Sequence, residues 1–491
     1  MLQKMIKRYL CVIILLLSQI SLYSQDYFSQ KPFDIYSFSK FENLTDARAM
    51  GMGNALSLLS DNYTAVVLNP ATLGLARKIT LGTSFGLNLY RNEATFLDSV
   101  NTSKKTETVL NQAGVVFPLS GDSASNNFVL AVGYNQSKNM NRIFKFSGFN
   151  ESGSTLINSL ADNNSSITKR LLLSYPLYKD GSIYVGEQTV LNSNLQETGS
   201  SIDEGTLNHW SLGLAYEFAH NIFVGFSLNY IIGSSLINRE FSESNTGFYP
   251  DTLQIVPGNL KTSGFKKFNL NDVISRIYNG LDIRFGVLYK FYNFISIGGS
   301  VKTPSNIWID EEHYFKGSSE FTTGFKPKLD TIVLSSYQIS TPFEFTVGAA
   351  VNIFFLTGAA EVSYVDYSSM RLSGGLSIPQ RAELTKEIIE NYTRALNLKA
   401  GAEFRLPFTG LSARAGFMYF PSPLKNDETV YDRKYLTAGL GIKSGEGSME
   451  FNLAYIVGWW NERVPDYRKD IPSISSKVRT DNIIGSLVLR F

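Results

Sequence analysis

The chain is 491 residues long, with 45 Lys and Arg against 43 Asp and Glu and 43% hydrophobic residues. So balanced a charge argues against a nucleic-acid partner or a polybasic membrane contact. The one cysteine, Cys11, excludes a disulfide framework and a thiolate metal cluster. Length alone suggests roughly two to four soluble domains, yet no linker or composition break follows residue 80.

In chain order, residues 1–24 read as a secretory signal peptide. Lys4, Lys7 and Arg8 precede or open an apolar run from Tyr9 to Leu17, and small or polar residues lead to cleavage after Ser24. Cys11 lies inside that run, so the exported chain carries no thiol. No other stretch approaches the ~20 apolar residues of a membrane-spanning helix. Residues 25–77 form the next unit, and from Thr45 to Leu75 they read TDARAMGMGNALSLLSDNYTAVVLNPATLGL. This stretch is too apolar for a linker and too rich in glycine for an ordinary core helix. It is expected to pack closely inside another structure.

From residue 78 to 491 the pattern is one of alternation. Leu396, Leu398, Ala400, Ala402, Phe404 and Leu406 interleave with Asn397, Lys399, Gly401, Glu403 and Arg405, and the same rhythm runs from Met449 to Trp459. Side chains alternate faces along a strand, so each strand has one apolar and one polar face. Strands are expected near 78–90, 107–118, 126–138, 167–176, 181–193, 206–218, 221–237, 278–290, 294–303, 339–351, 354–371, 395–406, 411–421, 434–443, 448–462 and 480–491. These number sixteen, or fourteen without the pair at 167–193, which Pro176 and Gly181 interrupt.

A soluble antiparallel sandwich alternates in the same way, but three features favour a membrane barrel. Very short turns (Ala219 to Asn221, Tyr292 to Asn293, Pro407 to Gly410) alternate with long loops (238–277, 303–338, 372–394). Phe218, Phe223, Phe291, Phe294, Phe354, Phe355, Phe404 and Phe408 flank the short turns, and Trp210, Tyr230, Tyr364, Tyr419, Trp459 and Trp460 lie near the long loops, as two interfacial girdles would. The last strand ends on Phe491, which shares a face with Ile483, Gly485, Leu487 and Leu489 and resembles the signal read by the outer-membrane barrel assembly machinery. In lipid every backbone group must be satisfied, so the sheet must close. The expected fold is all-β: a transmembrane antiparallel β-barrel of 14 to 16 strands over residues 78–491, with residues 25–77 as a hatch in its lumen. Inward positions carry Arg284, Lys290, Lys399, Arg405, Arg414 and Arg490 against Asp282, Glu344, Glu361, Glu403 and Glu450. Mixed signs suit networks that brace the wall or hold a plug better than a selective ion pore.

Ala47 to Ala55, with Arg48, Gly51 and Gly53, followed by Asn69-Pro70-Ala71, resembles the N-terminal hatch of the FadL/TodX family of outer-membrane transport proteins. Val365 to Met370 and Lys399 to Pro423 resemble its late strands. The resemblance implies a barrel of about 14 strands, located in the outer membrane and working as a monomer, with its lumen blocked by the hatch. It also implies capture of a hydrophobic small molecule, such as a long-chain fatty acid, at the extracellular loops, and lateral exit to membrane lipid through a kinked third strand. Gly133 is the flexible residue of that strand here, either as the kink or as a structural glycine that eases barrel curvature.

Leu270, Val273, Ile274 and Ile277, and then Leu384, Ile388 and Ile389, fall at helical spacing and are expected to form loop helices that capture ligand or pack on the rim. Neither catalysis nor a cofactor or metal is expected. Gly82 to Gly86 fits the hydrolase G-x-S-x-G pattern but lies in an alternating strand instead of a strand-to-helix elbow. His209-Trp210-Ser211 resembles the His-x-Ser of outer-membrane phospholipase, yet Trp210 occupies the apolar face and turns His209 and Ser211 to the lumen. A role as a secretion shuttle or attachment protein, binding a protein partner at polar loops, is the alternative.

Overall fold

A computed structural model describes residues 36–40, 45–119, 128–151, 153, 155–292, 294–444, 447–463 and 474–491. The expected signal peptide and the first part of the hatch lie outside these residues. Twenty strands follow in order: β1 Thr80–Phe96, β2 Ser99–Pro118, β3 Phe128–Asn139, β4 Arg142–Asn150, β5 Tyr175–Lys179, β6 Ile183–Gln188, β7 Leu195–Ala219, β8 Ile222–Asn245, β9 Phe265–Phe291 and β10 Ile295–Lys302. Then come β11 Asn306–Phe321, β12 Lys328–Ser340, β13 Glu344–Ile353, β14 Leu356–Asp366, β15 Arg371–Ser373, β16 Arg394–Arg405, β17 Leu411–Phe420, β18 Arg433–Lys443, β19 Met449–Arg463 and β20 Ser475–Arg490.

Fourteen of them close a ring of antiparallel neighbours, β1, β2, β3, β7, β8, β9, β10, β13, β14, β16, β17, β18, β19 and β20, with β20 pairing back onto β1 from Thr80↔Arg490 to Thr95↔Ser475. Closure leaves no lipid-facing edge, which the alternating sequence demands. Outward positions are apolar and exposed: Phe85, Leu87 and Leu89 on β1, Trp210, Leu212 and Tyr216 on β7, Phe345 and Val347 on β13, and Phe451, Leu453 and Tyr455 on β19. Such a band on a closed antiparallel barrel faces lipid, and the chain is a transmembrane barrel of the outer-membrane type. Aromatics ring its lower edge at the short turns, where Phe218, Phe291, Phe294, Phe354 and Phe408 are exposed. Two girdle expectations are corrected: Phe223 is buried against Gly74, and Trp460 lines the lumen while Trp459 faces out. The alternation itself separates the two tryptophans, since consecutive residues of a strand cannot share a face.

Two further expectations are corrected above the band. Residues 166–170 form helix α4 (Ser166–Arg170), after α3 (Leu156–Asp162), and β5 and β6 pair only with each other, so the segment 167–193 adds nothing to the wall. The loops placed at 238–277 and 303–338 are largely strand. β9 pairs with β10 along its lower part and with β11 along its upper part, and the β11–β12 hairpin extends the sheet beyond the wall. Leu270, Val273, Ile274 and Ile277 belong to β9. Their helical spacing is coincidental, because Asp272, Ile274, Arg276 and Tyr278 are buried at every second position. Polar residues on the inward face had masked the period of two.

Candidate functional site

The hatch starts with α1 (Ala47–Gly51), continues through α2 (Thr64–Leu68) and ends in a 3-10 turn at Pro70–Leu75. Buried Asp46 ties the first two together. One carboxylate oxygen caps α1 by accepting from the Ala49 N–H at 2.7 Å, and the other accepts from Asn62 Nδ2 and Thr64 Oγ1, both at 2.8 Å. Asn69 caps the third piece, its Oδ1 accepting from the Ala71 N–H at 3.1 Å, with Pro70 at the position where a missing N–H costs nothing. Asn69 Nδ2 donates to the Val287 carbonyl of β9 at 3.2 Å, so the Asn-Pro-Ala motif fastens hatch to wall. Ser84 of the G-x-S-x-G sequence is likewise an anchor, donating to the Thr45 carbonyl at 3.2 Å.

Four pairs of wall glycines receive the hatch. Gly225 and Gly286 are cross-strand partners, and a Cβ on either would strike Asn69, Pro70 or Ala71. Gly114 and Gly133 are partners under the ring of Tyr63, Gly401 and Gly416 under Met52 and Gly53, and Gly298 and Gly348 under Leu58. Gly53 is itself required: at φ +61° it sits against the Ala400 carbonyl and the Phe417 backbone, where a side chain has no room. Gly133 is therefore half of a socket in an unbroken ladder, and the expected strand kink is not at this residue.

Charge completes the attachment. Arg48 of α1 donates twice to Glu403, at 3.1 and 3.2 Å; Arg414 reaches Glu403 at 2.6 Å and Glu450 at 3.9 Å; Arg490 reaches Glu450 at 3.1 Å and Asp61 of the hatch, also at 3.1 Å. The chain of alternating signs thus leaves the hatch at Arg48 and returns to it at Asp61. The Glu403 carboxylate holds Arg48 above the usual guanidinium range. Glu361 accepts from the Ser57 N–H at 2.7 Å and faces Lys399 at 3.8 Å, and Arg284 donates to the Leu68 carbonyl at 3.2 Å. Of the eleven inward charges read from the sequence, Arg284, Glu361, Glu403 and Arg490 touch the hatch directly. Beneath it opens a vestibule of about 630 Å³ lined by Arg48, Asp61, Arg77, Lys290, Arg405 and Glu450, among others.

The upper lumen is closed by the chain's own aromatics. Phe38 stands edge-on to Tyr278 at 5.0 Å, Tyr36 packs on Tyr367 and Tyr392, and Lys40 bonds Glu462 at 3.3 Å. Helix α5 (Ile378–Asn391) forms as the spacing predicted, started by a Ser377/Gln380 capping box. Leu384 and Ile388 are buried in the same cluster as Phe38, whereas Ile389 is exposed.

Among the described residues the wall lapses between β2 and β3. β2 and β3 pair only from Pro118↔Val129 to Gln112↔Asn135, although β2 continues along β1 to Ser99 and β3 along β7 to Asn139. Bulges flank the break, one extra residue at Asn111 on β2 and one at Ser137 on β3. Asn135, Gln136, Ser137 and Lys138 are buried in succession, so β3 has turned in from the lipid face. Side chains span the opening instead of a ladder. Lys105 donates to Asn141 at 3.4 Å and Glu204 at 2.9 Å, and Glu107 accepts from the Asn139 and Asn141 amides. Directly inside lies a cavity of about 110 Å³, with Met50 of the hatch, Met418, Tyr435, Ile456 and Trp460 on one side and Asn88, Lys105, Glu107, Asn139 and Arg142 on the other.

No protein-family model and no curated protein sequence matches the chain. Solved structures do. The toluene transporter TodX of Pseudomonas putida aligns over 91% of this chain and 99% of its own at 14% identity, with a TM-score of 0.53. A Pseudomonas aeruginosa FadL homologue aligns over 92% and 99% at 12% identity (TM-score 0.55), and the CymD monoaromatic hydrocarbon channel over 92% and 99% at 14% (TM-score 0.51). The fold is that of the FadL/TodX channels. Its closed antiparallel barrel is the fold class that the alternation led us to expect. The cavity residues Asn88, Trp460 and Thr480 and the bulges at Asn111 and Ser137 were not anticipated, because they emerge only from the cross-strand register. The expected His-x-Ser pair lies inward: His209 and Ser211 are buried while Trp210 is exposed to the lipid side. Among the described residues no group of three His, Cys, Asp or Glu is placed to hold a metal.

Proposed function

We propose that this FadL/TodX-type barrel is a passive outer-membrane channel for hydrophobic small molecules, long-chain fatty acids or hydrocarbons among them, acting as a monomer and without catalysis. The observation that carries the reading is the combination of a hatch held in glycine sockets and ion pairs with a wall that lapses between β2 and β3 beside a half-open cavity. Ligand is captured above, passes Tyr36, Phe38 and α5 to the cavity, and leaves sideways into the bilayer while the hatch stays in place. An apolar molecule gains ~0.8 kcal/mol per CH₂ by staying out of water, so a path ending in lipid suits it and a watery pore does not. Leu384, Ile388 and Ile389 belong to the capture end, and Phe491 to recognition by the assembly machinery.

Native mass spectrometry of the detergent-solubilised protein with a long-chain fatty acid and with toluene tests this reading. Retention of at least one is expected; retention of neither contradicts it. A second reading, capture of a protein partner, draws on the β5–β6 hairpin, where Leu177, Tyr178, Ile183, Tyr184 and Val185 are all exposed.

A further inference from the structure

The outer face of the barrel is not uniform at the top of its apolar band. Cross-strand register sets Lys104 of β2, Arg91 of β1, Arg479 of β20, Trp459 of β19 and Lys434 of β18 side by side on five neighbouring strands. Each points outward. Arg91 shares its face with exposed Leu87 and Leu89, Arg479 with Ile483, and Lys434 with Leu436 and Leu440. Two residues toward the short turns, the next row is Leu89, Asp481, Val457 and Leu436; two residues the other way, Lys477 stands opposite Glu93. Five cations therefore meet two carboxylates. Asp481 lies 2.9 Å from Arg479, while Arg91, Lys104, Lys434 and Lys477 make no ion pair among the described residues. Across the barrel the top of the band is aromatic or apolar: Trp210 pairs with Tyr230, Tyr230 with Leu281, and Phe345 with Tyr364.

We propose that this basic row binds the phosphorylated sugar headgroup of an outer-leaflet glycolipid of the lipid A type. Depth agrees with a headgroup. From Thr80 to Arg91 on β1, and from Arg490 to Arg479 on β20, the chain climbs eleven residues; at ~3.3 Å per residue and a tilt of ~40° that is about 28 Å, just past an apolar band of ~25 Å. The long loops lie at this end, so the row faces the outer leaflet. Leu87, Leu89, Leu436 and Leu440 continue below it as a surface for acyl chains. Charge and breadth point to more than one phosphate: five strands at ~4.8 Å span about 19 Å, and the guanidinium of Arg91 can grip a phosphate with two parallel hydrogen bonds while the lysines act as point charges. Trp459, exposed between Arg479 and Lys434, offers a flat ring at headgroup depth. A zwitterionic headgroup brings its own cation and gains little here. An inorganic anion lacks the acyl chains and meets only an exposed, salt-screened surface.

The test is a titration of the purified full-length protein in nonionic detergent, read by native mass spectrometry, with diphosphoryl lipid A, monophosphoryl lipid A, phosphatidylethanolamine and inorganic phosphate as probes. Diphosphoryl lipid A is expected to bind most tightly and the monophosphoryl form less so. Arg91→Gln with Lys104→Gln should weaken diphosphoryl lipid A at least about tenfold, since each cation beside an anionic headgroup is worth roughly a factor of five. Neither residue is buried, and strand content by circular dichroism shows that the double variant is folded. Lys179→Gln, on the exposed β5–β6 hairpin, should leave binding unchanged. Phosphatidylethanolamine bound as tightly as diphosphoryl lipid A, or an affinity that the double substitution does not move, overturns the inference. Inorganic phosphate bound as tightly as the lipid overturns it in favour of a site for small anions. None of these outcomes bears on the channel reading, which fatty acid and toluene test.

Discussion

Arg48 is the residue through which the hatch's hold on the wall is most simply tested. Its guanidinium gives Glu403 two hydrogen bonds, but Glu403 keeps Arg414 and Arg405 when Arg48 is removed. Arg48→Ala should therefore cost about 1–3 kcal/mol of hatch attachment, less than the ~3–5 kcal/mol of a buried charge stripped of every partner. In planar bilayers the variant should show frequent opening events where the wild type is quiet; an unchanged trace would mean that the glycine sockets alone retain the hatch. Legibility at this scale was uneven. Asn69, Pro70 and Ala71 stood out because they follow a glycine-rich apolar stretch and immediately precede the first alternating strand, in the order of the FadL/TodX hatch. Gly114, Gly133, Gly225 and Gly286 did not, because a glycine on the polar face of a strand means nothing until the register sets two of them side by side and the hatch above them.

At the scale of elements, β3 decides where the wall lapses. Its bulge at Ser137 takes Gln136 and Lys138 out of step with β7 and turns the strand inward beyond Asn135. Deleting Ser137 should restore continuous alternation, extend the β2–β3 ladder upward and lower ligand transfer into lipid by tenfold or more, measured as uptake by proteoliposomes. Transfer at the wild-type rate would place the exit elsewhere. The resemblance implied a kink on the third strand, with Gly133 as its flexible residue; the register slip of β3 is at Ser137, since a lone glycine is visible in a sequence and a one-residue register slip is not. β9 was misread for a related reason. Its upper half buries Asp272 and Arg276 beside Ile274 and Tyr278, and inward polar residues erase the hydrophobic alternation that makes a strand readable. Helix α5 kept its amphipathic spacing and its capping box, and was found.

For the whole molecule, the balanced lumen charges pair mostly within the wall, and two pairs, Arg48–Glu403 and Arg490–Asp61, join wall to hatch, so the barrel should conduct poorly. Planar-bilayer recordings of the wild type are expected to show little steady current, and deletion of residues 26–75 should open a large pore; a large wild-type conductance would contradict a seated hatch. Closure, strand direction and the lipid-facing band were legible because they follow from a period of two repeated fourteen times. The extracellular extension was not, since nothing in an alternating pattern says whether a strand stops at the membrane surface or continues past it.

On the proposed route, ligand leaves through the side of the barrel while the hatch stays put. This is tested most directly by measuring ligand transfer into proteoliposome membranes with each element fastened in turn. Ala47→Cys with Ser486→Cys fastens the hatch, at a site where the Ala47 N–H already lies 3.3 Å from Ser486 Oγ. Glu107→Cys with Asn139→Cys, joined by a short dithiol-bridging reagent, fastens the break between β2 and β3, where those two side chains now meet. The expected result is transfer close to the wild-type rate with the hatch fastened and transfer abolished with the break fastened, restored by reduction. Transfer that stops when the hatch is fastened and persists when the break is fastened would contradict the account.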